Sequence, residues 1–213
     1  MRRKPPALDR RASTRQPTAC LVIFCEGKKT EPDYLRRFAE ENGNKLVKLV
    51  IHPAAGEPGK LVESALEAHR HYEQLALAGD SYELYEVWAV FDRDIHDRYE
   101  EALAIARRNK LRVAMSNPCF ELWGILHFSD HDGEYTHREV QKMLKKHMGS
   151  YDNKKEKVFD YVLMKDHYPA AVKRAKTLQR NRNAERNPEG NPSTRIYYLL
   201  ERIVALGKQS YKR

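Results

Sequence analysis

The sequence has few cysteines and no long apolar run, and these two absences exclude several classes of protein. Of its 213 residues only three are cysteines, Cys20, Cys25 and Cys119, and none has C-x-x-C spacing. Two of them fall within or beside apolar stretches, where a free thiol behaves as a small hydrophobe, so we expect neither disulfides nor structural zinc. No apolar run approaches the roughly 18 residues of a membrane span, and the N-terminal segment lacks the apolar centre of a signal peptide. We therefore expect a cytoplasmic protein without a membrane partner.

Acidic residues are outnumbered by basic ones. Lys and Arg total 39 against 30 Asp and Glu, which gives a formal net charge of +9. The excess lies largely at the two ends of the chain, with six basic residues in 1–17 and eleven in 173–213. Such asymmetry favours a polyanionic partner, because basic side chains that neutralise phosphates release counterions. The composition predicts nucleic acid, DNA or RNA, as that partner, and a solvated basic surface is the alternative.

Apolar runs of strand length alternate with segments of helical periodicity through the first half of the chain. This alternation indicates an α/β fold in which helices flank a central parallel sheet of about four strands, joined by right-handed crossovers. The strands are predicted at residues 19–25, 45–51, 85–91 and 111–115.

Composition divides the chain into three parts. Residues 1–17 are basic, contain proline and lack periodicity, which predicts a flexible arm. Residues 18–128 form the predicted α/β core, and residues 129–213 a mostly helical region that packs on that core. Within this last region we expect a turn-rich loop at 187–193 and a final helix with Pro192 in its first turn.

Acids follow two of the predicted strands directly. Glu26 follows the first strand, and Asp92 and Asp94 follow the third. Because ligands of open α/β sheets gather outside the carboxyl ends of the strands, these acids are expected to converge. Converging carboxylates repel one another unless a cation neutralises them, and hard oxygen ligands suit Mg²⁺ or Mn²⁺. Each motif alone is more typical of a turn or a helix cap, but their joint placement favours a cation site.

Longer segments resemble a known family. A strand ending in Glu-Gly, followed about 65 residues later by an apolar strand ending in Asp-x-Asp, resembles the TOPRIM domain of topoisomerases, primases and some bacterial nucleases. The stretches CEGKKTEPDYL, AVFDRD, SNPCFELWGILHF and NPSTRIYYLL resemble the RloB family, a TOPRIM-related group, over most of residues 18–206. The last two stretches are the more specific ones. Members of this group lie in bacterial restriction and abortive-infection loci, often beside an ATPase of the AAA or ABC type.

The resemblance implies a function and assigns roles to residues. Glu26 would act as general acid/base or assist metal binding, and Asp92 and Asp94 would hold Mg²⁺. The expected activity is metal-dependent phosphodiester hydrolysis of DNA or RNA in anti-phage defence, with an ATPase partner. No tyrosine is singled out as a topoisomerase nucleophile, and zinc-ribbon cysteines of the primase kind are absent from the sequence. Hydrolysis is the simpler reaction.

Further residues are candidates for binding the metal or the nucleic acid. Glu121, just beyond the fourth strand, is equally well explained as a further metal ligand or as an acid at a helix start. Lys28 and Lys29 follow Glu26, and Arg93 lies between the aspartates, where cations could contact phosphate. A basic helix supplies a second candidate surface, formed by Lys173, Arg174, Lys176, Arg180 and Arg182. That stripe could equally face an acidic protein partner.

The histidines near the middle of the chain fit no familiar zinc pattern. His127, His131 and His137, with Asp130 and Asp132, are predicted to be structural or solvated because the segment reads as a polar loop.

Two alternative functions remain open from the sequence. One is a non-catalytic nucleic-acid- or nucleotide-binding regulatory subunit of a defence complex. The other is a haloacid-dehalogenase-like phosphatase with Asp92 as nucleophile, which would leave Glu26 unexplained. The oligomeric state also stays open, and an oligomer is compatible with the sequence.

Overall fold

Strand β1 occupies the interior of a five-stranded sheet with the order β2-β1-β3-β4-β5. The computed structural model describes residues 19–45, 47–78, 84–93, 98–151 and 158–209. Four strands are parallel, and the short β5 runs antiparallel to β4. The strands are β1 (Ala19–Cys25), β2 (Val47–His52), β3 (Leu84–Asp92), β4 (Arg112–Asn117) and β5 (Ser193–Thr194).

Helices cover both faces of the sheet. In the described residues none of them is long and apolar enough to cross a membrane. The helices are α1 (Thr30–Asn42), α2 (Pro58–Leu77), α3 (Tyr99–Arg108), α4 (Glu121–Leu126), α5 (His137–His147), α6 (Tyr161–Met164), α7 (Tyr168–Ala184) and α8 (Ile196–Gln209), with a 3-10 turn at Lys165–His167.

The uninterrupted apolar sequence of β1 follows from its position between two helical layers. Successive side chains of a strand point to opposite faces. Leu21 and Ile23 accordingly pack into a core with α1 and α4–α8, whereas Val22 and Phe24 pack into a second core with α2 and α3. All seven residues of β1 are buried. The predicted α/β class, with a mostly parallel sheet and a largely helical C-terminal part, is confirmed.

The C-terminal part also contributes to the sheet, which the sequence did not predict. Ser193 was expected to close a loop, but it pairs with Asn117 as part of β5. Pro192 lies before β5, and α8 begins only at Ile196, so the placement of Pro192 in the first turn of that helix was wrong. A strand of two residues carries no periodic signal. Its pairing depends on the edge of β4, which only the folded chain provides.

Candidate metal centre

Two of the predicted acids meet at the point where the strand order reverses. Strand β2 lies on one side of β1 and β3 lies on the other, so the strand order reverses at β1. In an open α/β sheet the crevice at such a reversal, here between β1 and β3, is the expected ligand site. Glu26 extends the ladder by one residue, since its N–H donates to the carbonyl of Val90 at 3.0 Å. Its side chain turns to the end of β3, where the Asp92 N–H donates to Glu26 Oε2 at 3.0 Å.

Glu31 brings a third carboxylate to this crevice. It lies in the first turn of α1 and is only 6% exposed. Gly27 makes its position possible, because a Cβ at Gly27 would overlap both oxygens of the Glu31 carboxylate. Burial, together with the negative charges of Glu121 and Glu26, raises the pKa of Glu31 from 4.5 to about 7. This acid therefore exchanges its proton near neutral pH.

Glu121 supplies a fourth carboxylate from the start of α4. It is 5% exposed, and its Oε1 accepts hydrogen bonds from Tyr151 Oη at 2.5 Å and from Gln141 Nε2 at 3.1 Å. Both donors are neutral, so they orient the buried carboxylate without cancelling its charge. Glu121 is the acid in the first turn of α4, as one of the two interpretations expected, and it is buried rather than solvated.

Mutual repulsion links the four acids. Burial and the negative charges of Glu31, Glu121 and Glu26 raise the pKa of Asp92 well above its usual value. We call Glu26, Glu31, Asp92 and Glu121 the acidic cluster. Four oxygen-donor side chains with a joint excess of negative charge match the ligand preference of Mg²⁺ and Mn²⁺. Asp94, the other predicted ligand, lies outside the described residues, so its role stays a prediction.

Cys119 and His137 stand beside the acidic cluster. His137 Nε2 lies 3.7 Å from Glu121 Oε2, and one ligand atom from each of Cys119, Glu121 and His137 lies within 4.8 Å of the others. Burial and the nearby charges of Glu121 and Asp92 raise the pKa of the Cys119 thiol well above its usual value. Sequence reasoning did not name Glu31 or Cys119 as candidates for this site, and it predicted a structural or solvated role for His137. The Cys119-x-Glu121 spacing could have indicated Cys119. His137 belongs to a separate helix, α5, so no spacing in the sequence indicated it.

The other two histidines of the central segment lie elsewhere. The buried ring of His127 shares a hydrogen bond between its Nδ1 and the Trp123 carbonyl at 2.8 Å. Burial lowers the pKa of His127 to about 4 and burial also lowers the pKa of His131, so both rings favour the neutral form.

The two most distinctive sequence stretches, SNPCFELW and NPST, meet in the fold. Asn117 pairs with Ser193 across β4 and β5, and the hydroxyls of Ser116 and Thr194 lie 2.8 Å apart. The family model described as "RloB-like protein" matches residues 21–203 and so includes both stretches. The chain belongs to the RloB-like family. Comparisons with curated proteins and with solved structures found no match, so the likeness to TOPRIM domains stays a resemblance of sequence.

An open cleft of about 1120 Å³ adjoins the Glu121 side of the acidic cluster in this RloB-like chain. Its lining includes Arg93, Asn117, Tyr135, His137 and Gln141. Through His137 and Gln141 the cleft reaches the side chains around Glu121. A ligand in the cleft would therefore contact residues that themselves contact Glu121.

The predicted cations around the strand ends differ in their surroundings. Lys28 and Lys29 are exposed on the loop that follows Glu26. Arg93 instead holds the loop before β5, because its guanidinium donates to the Glu189 carbonyl at 2.8 Å and to the Glu100 carboxylate at 2.9 Å. Its position in the cleft wall still brings positive charge to the site.

The basic stripe of α7 does not form a single exposed face. Lys173, Lys176 and Arg180 are exposed on one side of the helix, and Lys176 pairs there with Glu201 at 2.6 Å. Arg174 is half-buried and donates to the Leu126 and His127 carbonyls. Arg182 is buried and pairs with Asp132 and Glu185. These two arginines hold the helical part together, so the exposed part of the stripe is limited to Lys173, Lys176 and Arg180, of which Lys176 is in an ion pair.

Proposed function

We propose that this RloB-like chain is a Mg²⁺- or Mn²⁺-dependent nuclease that hydrolyses phosphodiester bonds in DNA or RNA. The observation that supports the proposal is the hydrogen bond from the Asp92 N–H to Glu26 at the reversal point of the strand order, together with the negative charges of Glu31, Glu121 and Glu26 that act on the buried carboxyl of Asp92. A buried set of like charges is costly for folding, and a divalent cation offsets that cost while leaving positions open for phosphate oxygens.

The residues of the site would have separate roles in the reaction. Glu26, Asp92, Asp94 and Glu121 would hold the ion, which when bound supplies Lewis acidity and a lowered pKa of water. The Glu26 carboxylate, oriented by the Asp92 N–H, would take the proton of the attacking water. As the new P–O bond forms and the bond to the leaving oxygen breaks, solvent would return a proton to that oxygen. Lys28 and Lys29 would position the substrate phosphates.

The biological setting is proposed from the family resemblance. RloB-like proteins in restriction and abortive-infection loci suggest a role in defence against phage, with an AAA- or ABC-type ATPase as the partner. Such a partner could supply the trigger that releases nuclease activity. Such control would be needed because an unrestrained nuclease would damage the nucleic acids of its own cell.

A cleavage assay with controlled metal content tests the proposal. The purified protein, alone and with a co-expressed ATPase from its locus, is incubated with plasmid DNA, single-stranded DNA and tRNA. We expect cleavage with Mg²⁺ or Mn²⁺ and none after chelation, because the ion would supply the Lewis acidity and the lowered pKa of water on which the reaction depends. Tight nucleic-acid binding without cleavage under every condition would instead support the regulatory-subunit alternative.

The two exposed basic surfaces can be separated by the salt dependence of nucleic-acid binding. Each lost phosphate contact lowers the slope of log K against log salt concentration by about one. We expect Lys28→Ala/Lys29→Ala to lower the slope by about two, and the matched Lys173→Ala/Arg180→Ala variant to leave it unchanged. Fluorescence anisotropy over a salt series measures both. The opposite pattern would assign phosphate binding to α7.

A further inference from the structure

One cluster beside the acidic cluster has a different ligand chemistry. Cys119 Sγ, Glu121 Oε2 and His137 Nε2 contribute sulfur, oxygen and nitrogen from the loop before α4, from its first residue and from the first residue of α5. We call these three residues the mixed-ligand group. Mg²⁺ prefers oxygen donors, whereas thiolate and imidazole together favour zinc-class ions.

The separation of the atoms is close to that of a metal site. Bonds of about 2.0–2.3 Å place the ligand atoms of a tetrahedral zinc ion about 3.5 Å apart. The distance of 3.7 Å between His137 Nε2 and Glu121 Oε2 already meets this value. All three atoms lie within 4.8 Å of one another, so closure requires a movement of about an ångström. The His137 side chain is 38% exposed, which leaves room for that movement.

The surroundings of Glu121 are those of a supported metal ligand. Tyr151 and Gln141 both donate to Oε1, and this leaves Oε2 on the side of His137. Hydrogen bonds to a ligating carboxylate fix its orientation and commonly govern metal affinity. The support comes from two further elements, α5 and the segment that follows it, so the carboxylate is held independently of the ion.

We propose that the mixed-ligand group binds a zinc-class divalent cation, with an open coordination position toward the cleft. Three protein ligands and one open position are typical of catalytic rather than structural zinc sites. The expectation that the chain lacks a structural, four-ligand zinc site is therefore compatible with this proposal. His137 and Gln141 line the cleft, so water or a substrate oxygen arriving there reaches the ion. Glu121 belongs both to this site and to the acidic cluster.

Cobalt spectroscopy tests the site without reference to nuclease activity. Full-length protein freed of metal is titrated with Co²⁺, and the near-ultraviolet charge-transfer band of a thiolate–cobalt bond is recorded. We expect one such band, displaced by Zn²⁺, absent in Cys119→Ala and retained in Asp92→Asn. The matched control is Cys20→Ala, which removes a buried thiol from the opposite face of the sheet and should leave the band unchanged.

Two further variants test the site if Cys119→Ala does not fold, as judged by circular dichroism. His137→Gln changes a partly exposed ligand, and Tyr151→Phe removes a hydrogen bond to Glu121. Competition with a chromophoric chelator should show that His137→Gln weakens zinc binding at least about 100-fold, and that Tyr151→Phe weakens it about 10- to 100-fold. A folded wild type without the thiolate band, an equal band in Cys119→Ala, or an unchanged affinity in His137→Gln would overturn the proposal. Each of these results leaves the cleavage assay with Mg²⁺ unaffected.

Discussion

Replacing Asp92 with Asn is expected to lower metal-dependent cleavage at least about 10³-fold, because the loss of a metal carboxylate removes several kcal/mol of transition-state stabilisation. Asn keeps the size of the side chain and the backbone N–H that holds Glu26. The variant therefore removes the charge and leaves the geometry. Cleavage rates of wild type and variant at saturating Mg²⁺ provide the measurement. Glu26→Gln should show a comparable loss, since it removes both a ligand and the proton acceptor.

The stability of the Asp92 variant distinguishes a chemical loss from unfolding. Burial and neighbouring acids raise the pKa of Asp92, so the ionised side chain opposes folding at neutral pH. Asp92→Asn should consequently melt at or above the temperature of the metal-free wild type. The matched control is Asp130→Asn, since Asp130 is an exposed acid of the helical part, where it pairs with Arg174 at 3.0 Å. Full cleavage by Asp92→Asn would remove the acidic cluster from the reaction.

The contribution of Glu31 to the free energy of unfolding, measured without divalent ions as wild type minus Glu31→Gln, is expected to fall by about 3 kcal/mol as the pH rises from about 4.5 to about 7. The cause is the pKa of Glu31, which rises from 4.5 to about 7 in the folded protein. Within that window Glu31 binds more protons in the folded chain than in the unfolded chain, so its contribution decreases with pH, whereas the lowered pKa of His127 acts in the opposite direction on the whole chain. The contribution is complete below the unfolded pKa and is lost above the folded one. The raised pKa of Asp92 acts in the same direction.

Urea unfolding at a series of pH values measures this effect. The difference between wild type and Glu31→Gln should decrease over this pH range, whereas Glu40→Gln, on the exposed side of the same helix, should keep the pH profile of the wild type. A pH profile of Glu31→Gln that runs parallel to that of the wild type would show that Glu31 makes no such contribution. Mg²⁺ should raise stability most above pH 7, because the ion binds the deprotonated carboxylates and stabilises the folded state by mass action.

Both expectations describe a site assembled at the expense of stability. Acids that repel one another in the folded chain are retained where a bound cation or a reaction uses them. In our proposals the mixed-ligand group would add a second ion preference next to that of the acidic cluster, with Glu121 common to both. Metal content and pH would then act together on the same few side chains.

The sequence by itself determined the four parallel strands of the sheet and the placement of two acids at their ends. A continuous apolar run such as β1 is stable only between two layers, and strand and helix periodicities differ enough to predict their alternation. Because parallel strands end at one edge, the positions of Glu26 and Asp92 in the sequence already predicted that they meet. Glu121 was also within reach, since it follows β4 directly at the same edge.

Only the tertiary structure decided the rest of the site. In the sequence Glu31 is an ordinary acid in the first turn of a helix. In the structure its carboxylate lies in the crevice, because Gly27 has no Cβ to block it. His137 joins Cys119 and Glu121 because α5 packs on α4, a contact between side chains that no local pattern encodes. Arg182 likewise reads as a surface cation, yet it is buried in ion pairs. Local sequence determines the period and the ends of each element, whereas long-range packing decides which side chains meet at those ends.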